Sequence, residues 1–341
     1  MKDFHMITEG KATCYVPREK KISKDLPTFY NPLMEYNRTI TIALLKATKR
    51  KSMLIALPLE GTGIRAMRLC KELPINAVQR IDINDHNPTA KKIIRKNQTE
   101  NNIAKETIHI FCKDANEFLI NQQTGYDYID IDPFGSPNPF LNSAITRLKR
   151  DGILAVTATD TASLCGTNTY PCLRKYWAHP LHTEEMHEVG LRILIRKIQL
   201  IAMQYDRALH PILSYSKDHY MRVFLTGTKS KEACNAIIKQ HATYKGAGPL
   251  WTGKLYDKKI LSAIQETDTF TETLKNELDI LGFYELPTIY GKEKIPKGKP
   301  IQEIITALTK KKYKAARTHF APQGIKTDAP YNVLTQIIKT K

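Results

Sequence analysis

The sequence has no pair of cysteines at the CxxC spacing that zinc ribbons use. Its six cysteines are scattered singly: Cys14, Cys70, Cys112, Cys165, Cys172 and Cys234. This distribution argues against a zinc ribbon and against a scaffold held by disulfides.

Long apolar runs are also missing. No stretch approaches the roughly 20 apolar residues that a membrane-spanning helix needs. The opening residues, MKDFHMITEGKATCYVP, do not follow the pattern of a signal peptide. We therefore predict a cytoplasmic protein without a membrane segment.

Acidic residues are in deficit. The 341 residues include 52 Lys and Arg against 34 Asp and Glu, which gives a formal net charge of +18. Such a field suits a polyanion, and nucleic acid is the commonest polyanionic partner. The plain alternative is a basic surface that serves solubility alone.

What the sequence does contain is a regular alternation of strand and helix patterns. Short apolar strands separated by helical segments are predicted at 53–58, 76–85, 107–115, 126–131 and 151–159. This β-α order predicts an α/β fold with a parallel, doubly wound sheet. A hairpin within 4–17 precedes it, and a long helix at 183–206 and two strands within 213–228 follow it.

The length is sufficient for two domains. Near residue 230 the composition becomes basic and glycine-containing. We predict an α/β domain over 1–230, including the N-terminal hairpin, and a smaller, mostly helical α+β domain over 231–341. Within 257–338 the pattern of helices and a basic hairpin-like stretch resembles a small winged-helix module.

The stretch YDYIDIDPFGSPNPF (126–140) is the most informative. A buried strand ends abruptly at Asp132 and Pro133, and the aromatic ring of Phe134 follows. In open α/β sheets ligands bind at this edge. A carboxylate can accept a hydrogen bond from the amino group of a flat base, on which the ring can stack. A strand end followed by a proline-rich loop is the alternative.

The other strand ends carry compatible groups. In the turn LEGTGIR, Gly61 and Gly63 let the backbone approach a bound molecule closely. Asp85 closes the second strand 24 residues after Gly61, the usual offset for an acid that binds ribose hydroxyls. Asp82 is an alternative ligand, but strand alternation turns it to the opposite side from Asp85.

The third strand and the flanking arginines complete the pattern. Asp114 closes the third strand, where its carboxylate and the amide of Ala115 can face an adenine. Because the glycine turn is not GxGxxG, a cofactor without a pyrophosphate is favoured, and S-adenosylmethionine fits. Arg38 and Arg65 can hold its carboxylate.

Blocks spread from residue 29 to 330 resemble the tRNA guanine-26 N2-dimethyltransferase family of archaea and eukaryotes. They are FYNPLMEYNR, TGIRAMR, KDAN, DIDPFGSPNPF, TATDTASLCG, HEVGLRILIR, DHYMRVF, GPLW and THFAPQGIKTDAP. The resemblance implies a Rossmann-like class I methyltransferase fold, S-adenosylmethionine as cofactor, tRNA as partner and a family-specific C-terminal domain. It also implies mono- and then dimethylation of the exocyclic amine of guanine 26.

The resemblance also assigns roles to individual residues. These are Arg38 and Arg65 at the methionine part, Asp85 at the ribose, Asp114 and Ala115 at the adenine, Asp132 as the catalytic acid, and Phe29 and Phe134 around the guanine. Ser136 and Asn138 are candidates for supporting this pocket.

The chain departs from the family in two places. Relatives usually have an acid near the glycine turn, where this chain has Leu57 and Pro58 and only Glu60 as a nearby substitute. Many relatives also have a cysteine cluster before GPLW that looks like a zinc site. Only Cys234 and His241 remain here, so we predict no structural metal.

The tRNA is expected on a basic surface of a monomer. Candidate contacts are Arg192, Arg196, Lys197, the linker at 292–299, Lys310, Lys311, Lys312, Lys314 and Arg317. His319 and Lys326 match family positions, but no local pattern assigns their role. The alternatives are a methyltransferase for another tRNA or DNA base, and an RNA-binding protein that has lost its activity.

Overall fold

The computed structural model describes residues 3–18, 28–266, 268–296 and 298–339. It begins with an antiparallel hairpin of β1 (Phe4–Glu9) and β2 (Ala12–Pro17). A 3₁₀ turn, Pro32–Met34, then leads into α1 (Glu35–Ala47). Asn31 starts this segment because its side chain accepts a hydrogen bond from the amide of Leu33. The predicted hairpin and first helix are confirmed.

The central element is a seven-stranded mixed sheet. Its strands in chain order are β3 (Met53–Leu57), β4 (Val78–Asn84), β5 (Ile108–Phe111), β6 (Tyr126–Ile131), β7 (Leu148–Ala158), β8 (Arg207–Lys217) and β9 (Tyr220–Lys229). In the sheet they are ordered β5-β4-β3-β6-β7-β9-β8. The first five are parallel, and β9 pairs antiparallel with both β7 and β8. The predicted α/β sheet is confirmed.

Helices cover the sheet. They are α2 (Ile64–Glu72), α3 (Pro88–Glu100), α4 (Ala115–Ile120), α5 (Asn138–Arg147), α6 (Thr161–Leu164), α7 (Thr169–Tyr176) and α8 (Met186–Met203). The sequence did not predict α6 and α7, which are short. The order of the strands reverses between β3 and β6, because the chain adds β4 and β5 on one side and β6 on the other. Ligands bind outside the carboxyl ends of the strands at such a switch point.

The C-terminal third has two parts. The first contains α9 (Lys231–Ile238), β10 (His241–Tyr244), β11 (Ala247–Trp251), α10 (Lys258–Ala263) and α11 (Thr269–Asn276). The second contains β12 (Tyr284–Glu285), α12 (Leu286–Lys292), α13 (Ile301–Lys310), β13 (Ala315–Arg317), β14 (Gly324–Thr327) and α14 (Tyr331–Lys339). Its strands form a three-stranded sheet in the order β12-β14-β13.

Most buried apolar residues of the second part form a core of their own, although Phe320 and Ala321 belong to the large core. Ile237, Trp251 and Leu274 lie in the large core that also contains the central sheet. Leu286 and Leu334 lie in a separate small core. The domain division at residue 230 stays a prediction. Within the described segments, no helix combines the length and apolar character needed to cross a bilayer.

Candidate active site

Two adjoining cavities lie outside the carboxyl ends of β3, β4, β5 and β6. The Asp85 cavity, of about 310 Å³, is lined by Thr28, Phe29, Pro58, Leu59, Gly61, Asn84, Asp85, His86, Asn87, Asp114, Ala115, Asp132, Pro133, Phe134 and Phe140. The Arg65 cavity, of about 250 Å³, is lined by Phe29, Tyr30, Asn31, Leu33, Met34, Arg38, Leu59, Glu60, Thr62, Ile64, Arg65, Asp132, Pro133, Phe134, Thr159, Asp218, His219 and Tyr220. Five residues line both: Phe29, Leu59, Asp132, Pro133 and Phe134.

The glycine turn brings the backbone close to Phe29. Gly61 has a φ of +60°, and a Cβ atom on it would lie 2.4 Å from the carbonyl oxygen of Phe29. That carbonyl accepts a hydrogen bond from the amide of Thr62 at 3.2 Å. Gly63, with a φ of +80°, precedes α2, and a Cβ there would meet Ile94. Gly61 therefore shapes the cavities, whereas Gly63 permits helix packing.

The end of β4 is tied to its neighbours. Asn84 donates hydrogen bonds to the carbonyl oxygens of Pro58 and Lys113 at 3.1 and 3.0 Å, which links the ends of three strands. Asp85 accepts from the amides of Gly61 and Asn87, both at 2.9 Å. Its carboxylate is thereby fixed at the cavity wall. The sequence pattern did not single out Asn84.

Asp82 occupies a different place. Its buried carboxylate accepts a hydrogen bond from the hydroxyl of Tyr126 at 2.8 Å and pairs with Arg80. It lines neither cavity. This placement agrees with the choice of Asp85 as the candidate ribose ligand.

Asp114 is the residue that starts α4. One carboxylate oxygen accepts from the amides of Asn116 and Glu117 at 2.9 and 3.1 Å. Asp114 and Ala115 both line the Asp85 cavity, as does Phe140. Phe140 was not predicted as a site residue, although it belongs to the same DPFGSPNPF block.

Arg65 is the anchor of the site. Its buried guanidinium donates to Asn37 Oδ1 at 3.1 Å and to Thr41 Oγ1 at 3.2 Å. It lies 3.2 Å from a carboxylate oxygen of Asp130 and pairs closely with Oδ2 of Asp132. The other oxygen of Asp132, Oδ1, has no hydrogen-bond partner in the described ranges of the chain. Asp132, which lines both cavities, is therefore held at one oxygen while the other is unpaired.

A buried charge behind Arg65 fixes its orientation. Asp130 accepts two hydrogen bonds from Arg222, each at 2.7 Å, and one from the hydroxyl of Tyr128 at 2.6 Å. Burial by itself favours the protonated acid, but Arg222 and Arg65 hold the pKa of Asp130 below its ordinary value. Asp130 thus stays ionised and pairs with Nη1 of Arg65, whereas Asp132 pairs with Nη2.

Arg38 is already paired. Its Nε and Nη2 donate to the two carboxylate oxygens of Glu9, each at 2.6 Å, and Nη2 also donates to the carbonyl of Asn31 at 3.1 Å. Arg68 donates to the same carboxylate at 2.9 Å. The N-terminal hairpin, which supplies Glu9, thereby becomes part of the wall that holds Arg38 at the Arg65 cavity.

Two aromatic rings stand where the cavities meet. The rings of Phe29 and Phe134 are in edge-to-face contact, with centroids 4.2 Å apart and planes at 67°. Phe134 is 51% exposed although it is a large apolar residue. The sequence thus places an acid and two rings at one point, as predicted for a pocket that receives a base.

Glu60 brings a carboxyl group to the Arg65 cavity that Leu57 and Pro58 do not provide. Leu57 lies in the core, whereas Glu60 Oε1 accepts from the amide of Ala66 at 3.0 Å. Burial raises the pKa of Glu60 to about 8, although the positive charge of Arg65 opposes this shift.

Comparison with known proteins identifies the family to which this chain belongs. The family of N2,N2-dimethylguanosine tRNA methyltransferases matches residues 10–246 and 231–339. The chain belongs to this family.

Individual members match nearly the whole chain. The tRNA (guanine(26)-N(2))-dimethyltransferase of Pyrococcus horikoshii is 38% identical, over 98% of this chain and 97% of that protein. The tRNA (guanine(26)-N(2)/guanine(27)-N(2))-dimethyltransferase of Aquifex aeolicus is 34% identical, over 96% and 93%. The solved complex of Trm1 from Pyrococcus horikoshii with S-adenosyl-L-methionine matches with a TM-score of 0.90 and 35% identity, over 98% of this chain and 100% of that one. The class I methyltransferase fold expected from the resemblance is confirmed.

One candidate RNA contact is wrong. Arg192 is completely buried, pairs with Glu188 at 2.9 Å, and donates to the carbonyls of Trp251 and Gly253 at 3.1 and 2.8 Å. Helical periodicity placed it on a polar face, but β11 covers that face. Arg192 therefore cannot reach RNA.

The other basic residues singled out from the sequence include both exposed and buried side chains. Lys310, Lys311 and Lys312 are exposed at the end of α13, whereas Lys297 in the predicted linker lies outside the described residues. Lys326 is buried and pairs with Glu188 at 2.9 Å.

Ser136 and Asn138, which we predicted to support the pocket, contact helix α7. Ser136 Oγ is 3.1 Å from the hydroxyl of Tyr176, and Asn138 Nδ2 donates to the carbonyl of Lys175 at 2.8 Å. These contacts connect the loop after Asp132 to α7. Neither Ser136 nor Asn138 lines the two cavities.

Cys234 and His241 are the two residues that remain where many relatives have a cysteine cluster. Cys234 is buried in α9, and His241 Nε2 lies 2.9 Å from Gln199 Oε1. In the described parts of the chain no three His, Cys, Asp or Glu side chains form a metal-binding group. The absence of a structural metal stays a prediction.

Proposed function

We propose that this chain transfers methyl groups from S-adenosylmethionine to N2 of guanine 26 in tRNA, forming N2-methyl- and then N2,N2-dimethylguanosine. The position of Asp132 carries the proposal. One of its oxygens is anchored by Arg65 and the other is open, at the junction of two cavities beside Phe29 and Phe134. Family membership and the activities named for the relatives support the base and its position.

The donor groups fit the cofactor. Carboxylates at Asp85 and Asp114 suit hydroxyl and amino groups of a nucleoside, and the guanidinium of Arg65 suits the carboxylate of an amino acid. The hydroxyls of Thr28 and Thr62 are buried without a hydrogen-bond partner in the described segments, and each residue lines one cavity. Buried polar atoms without partners are rare, and a bound molecule can satisfy them.

Arg38 would make only part of the contact with the amino-acid portion of the cofactor. Two of its nitrogens are committed to Glu9, while Nη1 has no partner among the residues that the structure describes. We assign to Arg38 one hydrogen bond to the amino-acid portion; Arg65, which is already paired with Asp130 and Asp132, lines the same cavity and adds its charge. When bound, the cofactor supplies an electrophilic methyl group on a sulfonium.

Asp132 would activate the amine. The lone pair of the guanine amine is delocalised into the ring, which makes the nitrogen a poor nucleophile. A hydrogen bond from the amine to Asp132 Oδ1 favours a more available lone pair, and the carboxylate takes up the proton as charge develops. Since the side chain of Asp132 is 19% exposed, it can return that proton to water before the second transfer.

Phe29 and Phe134 would hold the base. Guanine 26 must leave the stacked tRNA body to reach Asp132, and contact with the two rings offsets the stacking that is lost. Positioning supplies most of the rate enhancement in a displacement of this kind.

The decisive experiment measures labelled methyl transfer to unmodified tRNA transcripts with guanine or adenine at position 26, followed by digestion to nucleosides. We expect N2-methyl- and N2,N2-dimethylguanosine only from transcripts with guanine 26. Label in another nucleoside would contradict the base assignment while leaving the cofactor assignment intact. Cofactor binding without any transfer would support an RNA-binding protein that has lost its activity.

A second candidate is methylation of guanine 27 as well. It is favoured by the Aquifex aeolicus relative, whose name includes both positions. Transcripts with guanine at 27 and adenine at 26 separate the two activities, since only an enzyme that accepts position 27 will label them. The monomeric state and the cytoplasmic location stay predictions.

A further inference from the structure

Trp177 has a backbone conformation that is unusual for a residue of its size. It follows α7 with φ 55° and ψ 41°, the left-handed conformation in which helices usually place glycine. A bulky residue is a genuine outlier there. The side chain is also 47% exposed. Backbone strain and exposure of a large apolar ring both cost stability, and such costs concentrate at functional sites.

The ring is nevertheless held firmly. The amide of Trp177 donates to the carbonyl of Leu173 at 3.1 Å, and its own carbonyl accepts from Arg196 Nη1 at 3.3 Å. The ammonium nitrogen of Lys197 lies 2.8 Å from the centroid of the ring. The backbone of Trp177 is therefore anchored, one face of the indole is covered by a cation, and the rest of the side chain is exposed to solvent.

Lys197 adds an uncompensated charge. The residue is only 5% exposed, and its ammonium forms no ion pair within the described segments. Burial lowers its pKa to about 8, with a further contribution from the charge of Arg196. Two neighbouring cations without a carboxylate between them favour an anion at this place.

The position of Trp177 relative to the active site is fixed. Its predecessor Tyr176 contacts Ser136 at 3.1 Å and Asp160 at 2.6 Å, and the carbonyl of Lys175 accepts from Asn138 at 2.8 Å. Trp177 is two residues from Lys175, so their Cα atoms are at most about 8 Å apart. Helix α7 is thus joined directly to the loop that follows Asp132.

We propose that Trp177, Arg196 and Lys197 form a docking platform for tRNA. The exposed indole stacks on an unpaired or splayed base, the partly exposed Arg196 contacts a neighbouring phosphate, and the buried Lys197 holds the ring from behind and adds its charge. An aromatic ring flanked by cations is the arrangement that binds single-stranded nucleic acid. The platform rests on the proposed function for its partner, tRNA, and adds where outside the catalytic cavities that partner is held.

The glycine variant Trp177→Gly tests the platform. Glycine adopts the left-handed conformation without strain, so we expect Tm to stay the same or rise. We expect the Kd and KM for tRNA to increase about tenfold through lost stacking, with kcat at saturating tRNA unchanged. Trp177→Phe should recover most of the affinity. Ile75→Ser removes another exposed apolar side chain, just before β4, the strand next to the edge strand β5, and should change neither constant.

Fluorescence gives a direct readout. The chain has two tryptophans, and the other, Trp251, is 2% exposed. We expect tRNA to quench the wild-type emission and to leave that of Trp177→Gly almost unchanged. We also expect Arg196→Gln to reduce the slope of log Kd against log salt by about one.

The outcomes separate the platform from the proposed function. A wild-type Kd for Trp177→Gly, or emission that tRNA leaves unchanged, would overturn the platform even if methylation is normal. A parallel loss of Tm and kcat would make Trp177 a structural residue and overturn it too. Quenching and weakened binding in a protein that methylates no guanine would support the platform and contradict the proposed function.

Discussion

Two clusters of charged residues illustrate how similar sequence signals serve different ends. The Asp132 cluster consists of Arg65, Asp130, Asp132 and Arg222. The Glu277 cluster consists of Glu188, Arg192, Glu277, His319 and Lys326. Both contain acids paired with cations, and both draw residues from sequence blocks that resemble the same family.

The Glu277 cluster is closed. Glu277 pairs with His319 at 2.5 Å and lies 3.7 Å from Lys326, which in turn lies 2.9 Å from Glu188. Burial by itself would raise the pKa of Glu277, but His319 and Lys326 hold it below its ordinary value. The cluster joins α8 to β14 and to the segment after α11. Its ion pairs hold these elements together, and Glu188 Oε2 is buried without a hydrogen-bond partner in the described residues.

The Asp132 cluster is closed on one side only. Asp130 and Arg222 form an ion pair next to Arg65, while Asp132 lines both cavities and keeps one oxygen unpaired. The buried ion pairs of the Glu277 cluster line neither active-site cavity and serve architecture, whereas an ionic group with an unpaired atom that lines these cavities can do chemistry. The difference lies in the surroundings and not in the residue types.

The largest expected effect is a loss of activity when the Asp132 cluster is changed. We predict that Asp132→Asn lowers kcat for methyl transfer by about 10²- to 10⁴-fold, because the general base is lost, with little change in Tm. Single-turnover methylation and thermal melts measure both quantities. Glu106→Gln, an exposed acid before β5, should behave like the wild type. Activity within threefold of the wild type for Asp132→Asn would contradict the assignment.

Lys326→Met tests the closed cluster. Removing one partner of a buried ion-pair network leaves uncompensated charge, so we expect a loss of about 3 to 5 kcal/mol in the free energy of unfolding. The kcat of the folded fraction should stay within a fewfold of the wild type. Urea unfolding measures the first and assays well below Tm the second. Lys311→Met, at an exposed site, should cost less than about 0.5 kcal/mol.

Asp85→Asn, directly after β4, and Asp82→Asn, within β4, form a matched pair. We expect Asp85→Asn to weaken S-adenosylmethionine binding about 10- to 100-fold, since hydrogen bonds to a charged group are lost. Asp82→Asn should leave that affinity unchanged and lower stability instead. Titration calorimetry and melting curves distinguish them. An equal loss of affinity in both variants would show that the effect is indirect.

The smallest expected effect concerns pH. The pKa of Glu60 is raised to about 8 in the folded protein from an ordinary value of 4.5. Its contribution to stability is therefore fully present below about pH 4.5 and is lost as pH rises through about 8. We predict that the Tm of Glu60→Gln, relative to that of the wild type, increases between pH 6 and pH 9. A constant difference in Tm over this range would contradict the shift.

The sequence alone determined the central sheet and the positions of the strand-end groups. Largely apolar strands, four to eleven residues long in the structure, alternate with helical segments, and this order specifies parallel strands that end at one edge. For that reason Gly61, Asp85, Asp114 and Asp132 could be assigned to one site from their positions after successive strands. These relations are local, and periodicity and turn chemistry are enough to read them.

Only the tertiary structure decided which of these groups are free. Glu9 neutralises Arg38 from a hairpin 29 positions earlier in the chain, and β11 covers Arg192, which looked exposed by helical periodicity. Whether Asp132, Glu277 or Lys197 retains an unpaired atom depends on the elements that pack against it. Those contacts join residues far apart in the chain, so no local pattern records them.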